Sequence, residues 1–242
     1  MIMEQEDYSK IYEYESMGKE YAGEKACISL TSWKARINTV SKTLYSLLKQ
    51  CPGFHIVLVL SKDEFPLMEK ELPDNLMLFV ENKLIELFWI RPNFKSFKKI
   101  LFTMDKYCDV PVISADDDCI YTCNYAQILY DAWIKHNDCV ITIGTHIGWG
   151  FQWCRGPATL YYPNCFGKLG LYNFRNVNNF INDDAYLAAL IKKFGIKIFG
   201  IPNIFDKVVL FHDETAALSS WNRYGPNDMK NFFARVRYYE LD

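Results

Sequence analysis

No part of this 242-residue sequence approaches the run of about 20 apolar residues that a membrane-spanning helix requires, so no span is expected. The opening segment, Met1 to Asp7, is acidic and lacks the apolar core of a signal peptide, which makes the cytoplasm the expected compartment. No long basic run is present and the formal net charge is -2, so nucleic acid is not an expected partner. Internal repeats and low-complexity stretches are also missing. What remains is a globular chain, half apolar, 16% aromatic and 23% charged, long enough for one well-formed core.

Eight cysteines stand at irregular spacing, several inside apolar segments such as Ala26-Cys27-Ile28, and read as reduced core thiols. Cys119, Cys123, His136 and Cys139 resemble a loose zinc-ribbon spacing. The helical pattern between them argues against it, because about 13 helical residues would put Cys123 about 20 Å from His136, far beyond the reach of one metal.

Residues 1–25 are polar and tyrosine-rich without a clear period, and read as a surface segment with a short helix. From residue 26 strands and amphipathic helices alternate. Cys27–Leu30, Ile56–Leu60, Leu76–Val80, Ile85–Ile90 and Val110–Ala115 read as strands; Ile37–Gln50, Asp63–Leu72 and the stretch around Phe97, Ile100, Leu101 and Met104 read as helices. Further on come a helix at Tyr125–Ile134, strands at Cys139–Ile143 and Ala158–Tyr162, a loop at 144–156, a helix at 183–194, and strands near 196–199 and 208–211. This alternation predicts an α/β fold, a mixed and mostly parallel central sheet flanked by helices, with ligands beyond the carboxyl ends of the strands.

At that edge stands Asp116-Asp117-Asp118, directly after an apolar strand. In an extended chain alternate side chains share a side, so Asp116 and Asp118 can converge on one cation while Asp117 faces elsewhere. Hard oxygen ligands suit Mg2+ or Mn2+. At the first strand end, Thr31, Ser32 and Arg36 could meet a base or a phosphate, although Ser32 or Asn38 could equally cap the next helix. Lys95, Lys98 and Lys99 open a helix at the same edge, where free amides and ammonium groups favour phosphate. Asp183-Asp184 begins another helix, capped by Asn182, and offers a general base as well as a favourable charge for that first turn. His212, at the end of an apolar strand and before Asp213 and Glu214, is a candidate third metal ligand. His146, in a loop rich in glycine and tryptophan, could touch an acceptor.

In this company the chain resembles bacterial glycosyltransferases of the GT-A type. The resemblance is carried by Ile28-Ser29-Leu30-Thr31-Ser32-Trp33 with Arg36, by Lys95-Ser96-Phe97-Lys98-Lys99, by the aspartate run with Ile120-Tyr121 behind it, and by Asn182-Asp183-Asp184-Ala185-Tyr186. It implies a Rossmann-like GT-A domain over 26–242, with a donor-binding half at about 26–122 and an acceptor half at about 123–242. Asp116 would contact the donor ribose or the metal, and Asp118 the Mn2+ or Mg2+ that bridges the donor diphosphate. Asp184, or Asp183, would be the base of an inverting transfer. Thr31, Ser32, Arg36, Lys95, Lys98, Lys99, Asp116 and Asp117 are the expected nucleotide-sugar contacts. The implied activity moves a sugar, from a UDP-sugar as the expected donor, to a glycan or lipid-linked acceptor in polysaccharide biosynthesis. The family's usual acidic pair is here Asn182-Asp183-Asp184, without a glutamate.

Two other readings share these features. A nucleotidyltransferase also uses paired carboxylates and a metal, but normally has a glycine-rich loop where this chain has Thr31-Ser32-Trp33-Lys34-Ala35-Arg36. An inactive carbohydrate-binding protein could keep the same fold. The aromatic and basic stretch from Phe232 to Tyr239 reads as a structural helix, with peripheral contact to a membrane surface as the alternative.

Overall fold

The computed structural model describes residues 13–148, 151–154, 156–167, 183–202, 204 and 208–212. The expectations for Met1–Asp7, Asn182, Asp213, Glu214 and Phe232–Tyr239 lie outside these residues.

Eight strands form one sheet: β1 (Glu13–Gly18), β2 (Ala26–Thr31), β3 (Phe54–Ser61), β4 (Glu86–Arg91), β5 (Val112–Ser114), β7 (Cys139–Thr142), β10 (Thr159–Tyr161) and β11 (Lys197–Gly200). Their spatial order is β1-β4-β3-β2-β5-β10-β7-β11, and all but β1 and β10 run parallel. Two smaller pairings complete the strands: β6 (Cys119–Tyr121) with β12 (Val209–His212), and β8 (Thr145–Gly148) with β9 (Phe151–Cys154). The expected mixed, mostly parallel Rossmann-like sheet is therefore present.

The helices are α1 (Val40–Leu48), α2 (Asp74–Glu81), α3 (Lys98–Lys106), α4 (Tyr125–Lys135) and α5 (Asp183–Lys193). Strands buried on both faces read as continuous apolar runs, and β3, Phe-His-Ile-Val-Leu-Val-Leu-Ser, is buried throughout. Alternate residues then serve two cores. Ile28, Leu30, Ile56 and Leu58 pack with α1, α2 and α4, whereas Cys27, Val57, Val59 and Val112 pack with α3 and α5. On the second face Ser29 shares a 2.7 Å hydrogen bond with Thr103, where α3 crosses the sheet. Among the described residues no helix is long and apolar enough to cross a membrane.

Four local expectations change. The N-terminal segment contributes β1, antiparallel to β4 at the sheet edge, where Tyr14 packs on Phe88 at 5.1 Å and the charged Glu13 and Glu15 face water. Leu76–Val80 is helical, not extended: Pro73 starts the turn, its carbonyl accepts from the amides of Leu76 and Met77, and Leu76 and Val80 are buried while Leu78 is exposed. The helix expected over 63–72 shrinks to a 3-10 turn at Met68–Glu71, since Pro66 lacks an amide proton and Met68 takes a left-handed φ of 53°. Finally, Thr145–Gly148 and Phe151–Cys154 pair as antiparallel strands β8 and β9 where a loop was expected.

The chain runs β2, β3, β4 in one direction across the sheet, then returns to place β5 on the other side of β2. That reversal opens a crevice between the carboxyl ends of β2 and β5, the usual ligand position in such sheets. Thr31-Ser32-Trp33 leaves one wall and Asp116-Asp117-Asp118 the other.

Candidate active site

Asp117 points inward. Its carboxylate accepts from Ser32 Oγ at 2.6 Å and from Arg36 Nη1 at 2.7 Å, while Thr43 Oγ1 on α1 shares its one proton between the carbonyls of Asp117 and Cys119 at 2.9 and 2.8 Å. Burial pushes this carboxyl above its ordinary value, against the opposing pull of Arg36 and Ser32. Arg36 Nη1 also lies 2.9 Å from Asp118 Oδ2, so one buried guanidinium holds two adjacent aspartates.

Asp116 belongs to a second cluster. Lys99 Nζ donates to Asp116 Oδ1 at 2.7 Å and lies 3.3 Å from Asp183 Oδ2, tying the end of β5 to the start of α5. The second contact is an ion pair without hydrogen-bond geometry, and Asp183 Oδ2 is buried without a hydrogen bond. Burial alone would discharge Lys99, but Asp116, Asp183 and Asp184 outweigh it and hold its pKa well above the ordinary lysine value. Beside it, burial and the neighbouring Asp183 push the Asp184 carboxyl up to about 8, opposed by Lys99. Asp184 lies against Gly156, where a methyl group would come within 2.9 and 3.0 Å of its two oxygens.

Thus Ser32, Arg36, Lys99, Asp116, Asp117, Asp118, Asp183 and Asp184 are gathered into one crevice, but several contacts differ from those expected. Ser32 and Arg36 grip the aspartate loop. Thr31 Oγ1 donates to the Val59 carbonyl at 2.6 Å. Lys98 turns away, donating to Glu64 at 2.9 Å and Asn93 at 2.8 Å, and burial lowers its pKa. Lys95 is exposed in a 3-10 turn ahead of α3, with φ at 52°. The β6–β12 pairing sets the backbone of His212 opposite Cys119, next to Asp118. His146 lies on β8, opposite Trp153 of β9.

Sequence reasoning missed Tyr121, Ser114 and Gly156 as parts of this site. The Asp116 amide donates to Tyr121 Oη at 2.8 Å, and Tyr121 donates to the Pro157 carbonyl at 2.9 Å. Ser114 Oγ donates to the Gly156 carbonyl at 2.7 Å. Cys119-Ile120-Tyr121 has no apolar and polar alternation, so which of its side chains turns inward was not legible, although Tyr121 stood in the motif behind the aspartates.

No family model matches the chain, and no curated protein is similar to it in sequence. Solved structures are similar to it over part of the chain trace. S. aureus TarS is 13% identical over 74% of this chain and 35% of its own, with a TM-score of 0.48. The glycosyltransferase GlyE of Streptococcus pneumoniae is 12% identical over 76% of this chain and 46% of its own, also at 0.48. The Francisella tularensis 2-C-methyl-D-erythritol 4-phosphate cytidylyltransferase is 10% identical over 86% and 99%, again at 0.48. This chain spans less than half the length of the first two. These likenesses concern the chain trace alone, so the functional reading rests on the site.

Proposed function

We propose that this chain is a metal-dependent glycosyltransferase that moves a sugar from a nucleotide-sugar, with a UDP-sugar as the expected donor, to a glycan or lipid-linked acceptor with inversion. The observation that carries this reading is the Lys99 bridge. It brings an aspartate from the switch-point strand end and the acidic start of α5 onto one ammonium, beside the Asp184 carboxyl that burial and Asp183 push up to about 8.

Among the described residues no group of three or more His, Cys, Asp or Glu side chains is arranged around a metal position. The donor chemistry nevertheless fits one. Asp116, Asp117, Asp118, Asp183 and Asp184 outnumber the cations Arg36 and Lys99 that pair with them, and the hard oxygens of Asp116 and Asp118 suit Mn2+ or Mg2+. Asp116, Asp118 and His212 would hold the ion. When bound, it would neutralise the diphosphate of the departing nucleotide.

The remaining work falls to the chain itself. Asp184, as carboxylate, takes the proton from an acceptor hydroxyl while that oxygen bonds to the anomeric carbon and the nucleoside diphosphate leaves with the electron pair of the broken bond. Lys99 keeps Asp116 and Asp183 in place during that exchange. Arg36 and Ser32 hold Asp117, and through it the aspartate loop.

A thermal-shift screen of nucleotide-sugars with Mn2+ tests the donor assignment, because a bound ligand raises the melting temperature by mass action. The expected products are a nucleoside diphosphate and a glycosylated acceptor, or free sugar where acceptor is missing. Pyrophosphate release would instead indicate nucleotidyl transfer, and binding without turnover an inactive lectin-like protein. Asp118→Ala is expected to abolish the metal-dependent shift while leaving the unliganded melting temperature within a few degrees; an unchanged donor affinity in calorimetry would remove Asp118 from the metal site. Gly156→Ala should lower kcat by about tenfold to a hundredfold, because the new methyl displaces the Asp184 carboxyl by a fraction of an ångström or more. Steady-state kinetics against a melting control checks it, and full activity would show that Asp184 need not rest on this backbone.

A further inference from the structure

We propose that Tyr121 is a positioning residue, whose hydroxyl sets the spacing between the aspartate loop and the turn that supports Asp184. This rests on the glycosyltransferase reading above and adds a residue to its site.

Tyr121 lies on β6 and is 3% exposed. A phenol can donate one hydrogen bond and accept others, and here it does both. It accepts from the amide of Asp116, the first residue of the aspartate run, and donates to the carbonyl of Pro157. Pro157 directly follows Gly156, on which the Asp184 carboxyl rests. A single oxygen thus joins the loop proposed to hold the donor to the turn that backs the base. Any buried tyrosine hydroxyl needs a partner; this one takes its two from separate loops of the site, Asp116 and Pro157.

The ring is itself held. It packs on Tyr125 with centroids 4.3 Å apart, and Tyr125 Oη donates to the Ser114 carbonyl at 2.7 Å, at the end of the strand that carries the aspartates. Ser114 in turn bonds Gly156, so a second short path joins the same two segments. The amide of Tyr121 donates to Ser46 on α1 at 3.1 Å, and its backbone pairs with Val209 on β12, the strand that ends in His212. The hydroxyl is therefore fixed relative to α1, β5 and β12 before any substrate arrives. Burial also holds its pKa well above the ordinary tyrosine value, so it stays a neutral donor at every physiological pH.

Loss of this oxygen would leave the ring and the aspartates in place but release the spacing between donor and base. Misplacement of about 1 Å costs roughly a hundredfold in rate. Tyr121→Phe is therefore expected to lower kcat by about tenfold to a hundredfold while the donor KM changes by less than about threefold. Hydrogen exchange provides a readout independent of turnover: the Asp116 amide is protected in the wild type and exchanges at least about tenfold faster in Tyr121→Phe. An unprotected Asp116 amide in the wild type overturns the proposal without any variant, even if Tyr121→Phe fails to fold. Wild-type kcat in the variant, or a loss confined to KM, overturns it as well. Wild-type protein that transfers no sugar, with Asp116 protected, overturns the glycosyltransferase reading and not the hydrogen-bonded link.

Discussion

Asp184→Asn is expected to cut kcat by about 10²- to 10⁴-fold, the usual contribution of a general base, while donor binding persists and the protein becomes more stable. The two effects have one source. With its carboxyl raised from 3.8 to about 8, folded protein binds a proton at Asp184 that unfolded protein has released throughout the intervening pH range. Stability contributed by this group is therefore full below the lower value, falls as pH rises through the window, and is flat above the upper one. Asparagine does not titrate. The variant should match the wild type near pH 4 and exceed it increasingly toward pH 8.5, by about 2 kcal/mol after discounting for partial exposure. Urea unfolding at pH 5 and pH 8.5 measures the difference. A variant less stable than wild type at pH 8.5 would contradict the raised carboxyl. In kinetics, the wild-type rate should increase with pH as Asp184 deprotonates, and a bound cation should move that rise to lower pH. A site that stores instability in its base is a common cost of function.

The sequence made the interior of the sheet legible because β2, β3 and β7 are buried on both faces and so read as uninterrupted apolar runs. The edge was not legible. Glu13–Gly18 is mostly exposed and owes its strand conformation to pairing with β4, 68 to 78 residues away in sequence. Leu76–Val80 failed for a different reason: five consecutive apolar residues fit a buried strand and a helix alike, and the helix is decided by its packing. In the site, the position of the aspartates could be read from the strand before them, but the partner of each side chain could not. Ser32 and Arg36 meet Asp117 across 85 and 81 residues, through the parallel register of β2 and β5. Neighbours on a helix diverge by about 100°, so Lys98 and Lys99 reach opposite groups, Glu64 and Asp116. Composition at the helix start gives no means of telling them apart.

The aspartate run itself is expected to divide under mutation, with Asp117 carrying the fold and Asp118 the chemistry. Asp117→Ala should destabilise the protein by about 1–3 kcal/mol, because the buried Arg36 guanidinium keeps Asp118 at 2.9 Å but loses its closest carboxylate. Ser32 Oγ loses its acceptor as well, while the loop between β5 and β6 keeps its ties to Thr43, Tyr121, Lys99 and Arg36. Its neighbour behaves differently. Asp118 shares the same guanidinium but does not hold Ser32, so Asp118→Ala removes donor binding while Arg36 and Ser32 stay paired with Asp117. Urea midpoints read alongside donor-induced melting shifts separate the two outcomes, and a destabilised Asp118→Ala with a stable Asp117→Ala would reverse the assignment. A double substitution sharpens the cause. If the loss in Asp117→Ala comes from the guanidinium keeping one carboxylate in place of two, then Asp117→Leu combined with Arg36→Met should recover part of it, with Asp118 left without its cation. Recovery would locate the cost in the guanidinium; no recovery would place it in the hydrogen bonds that Asp117 makes with the loop.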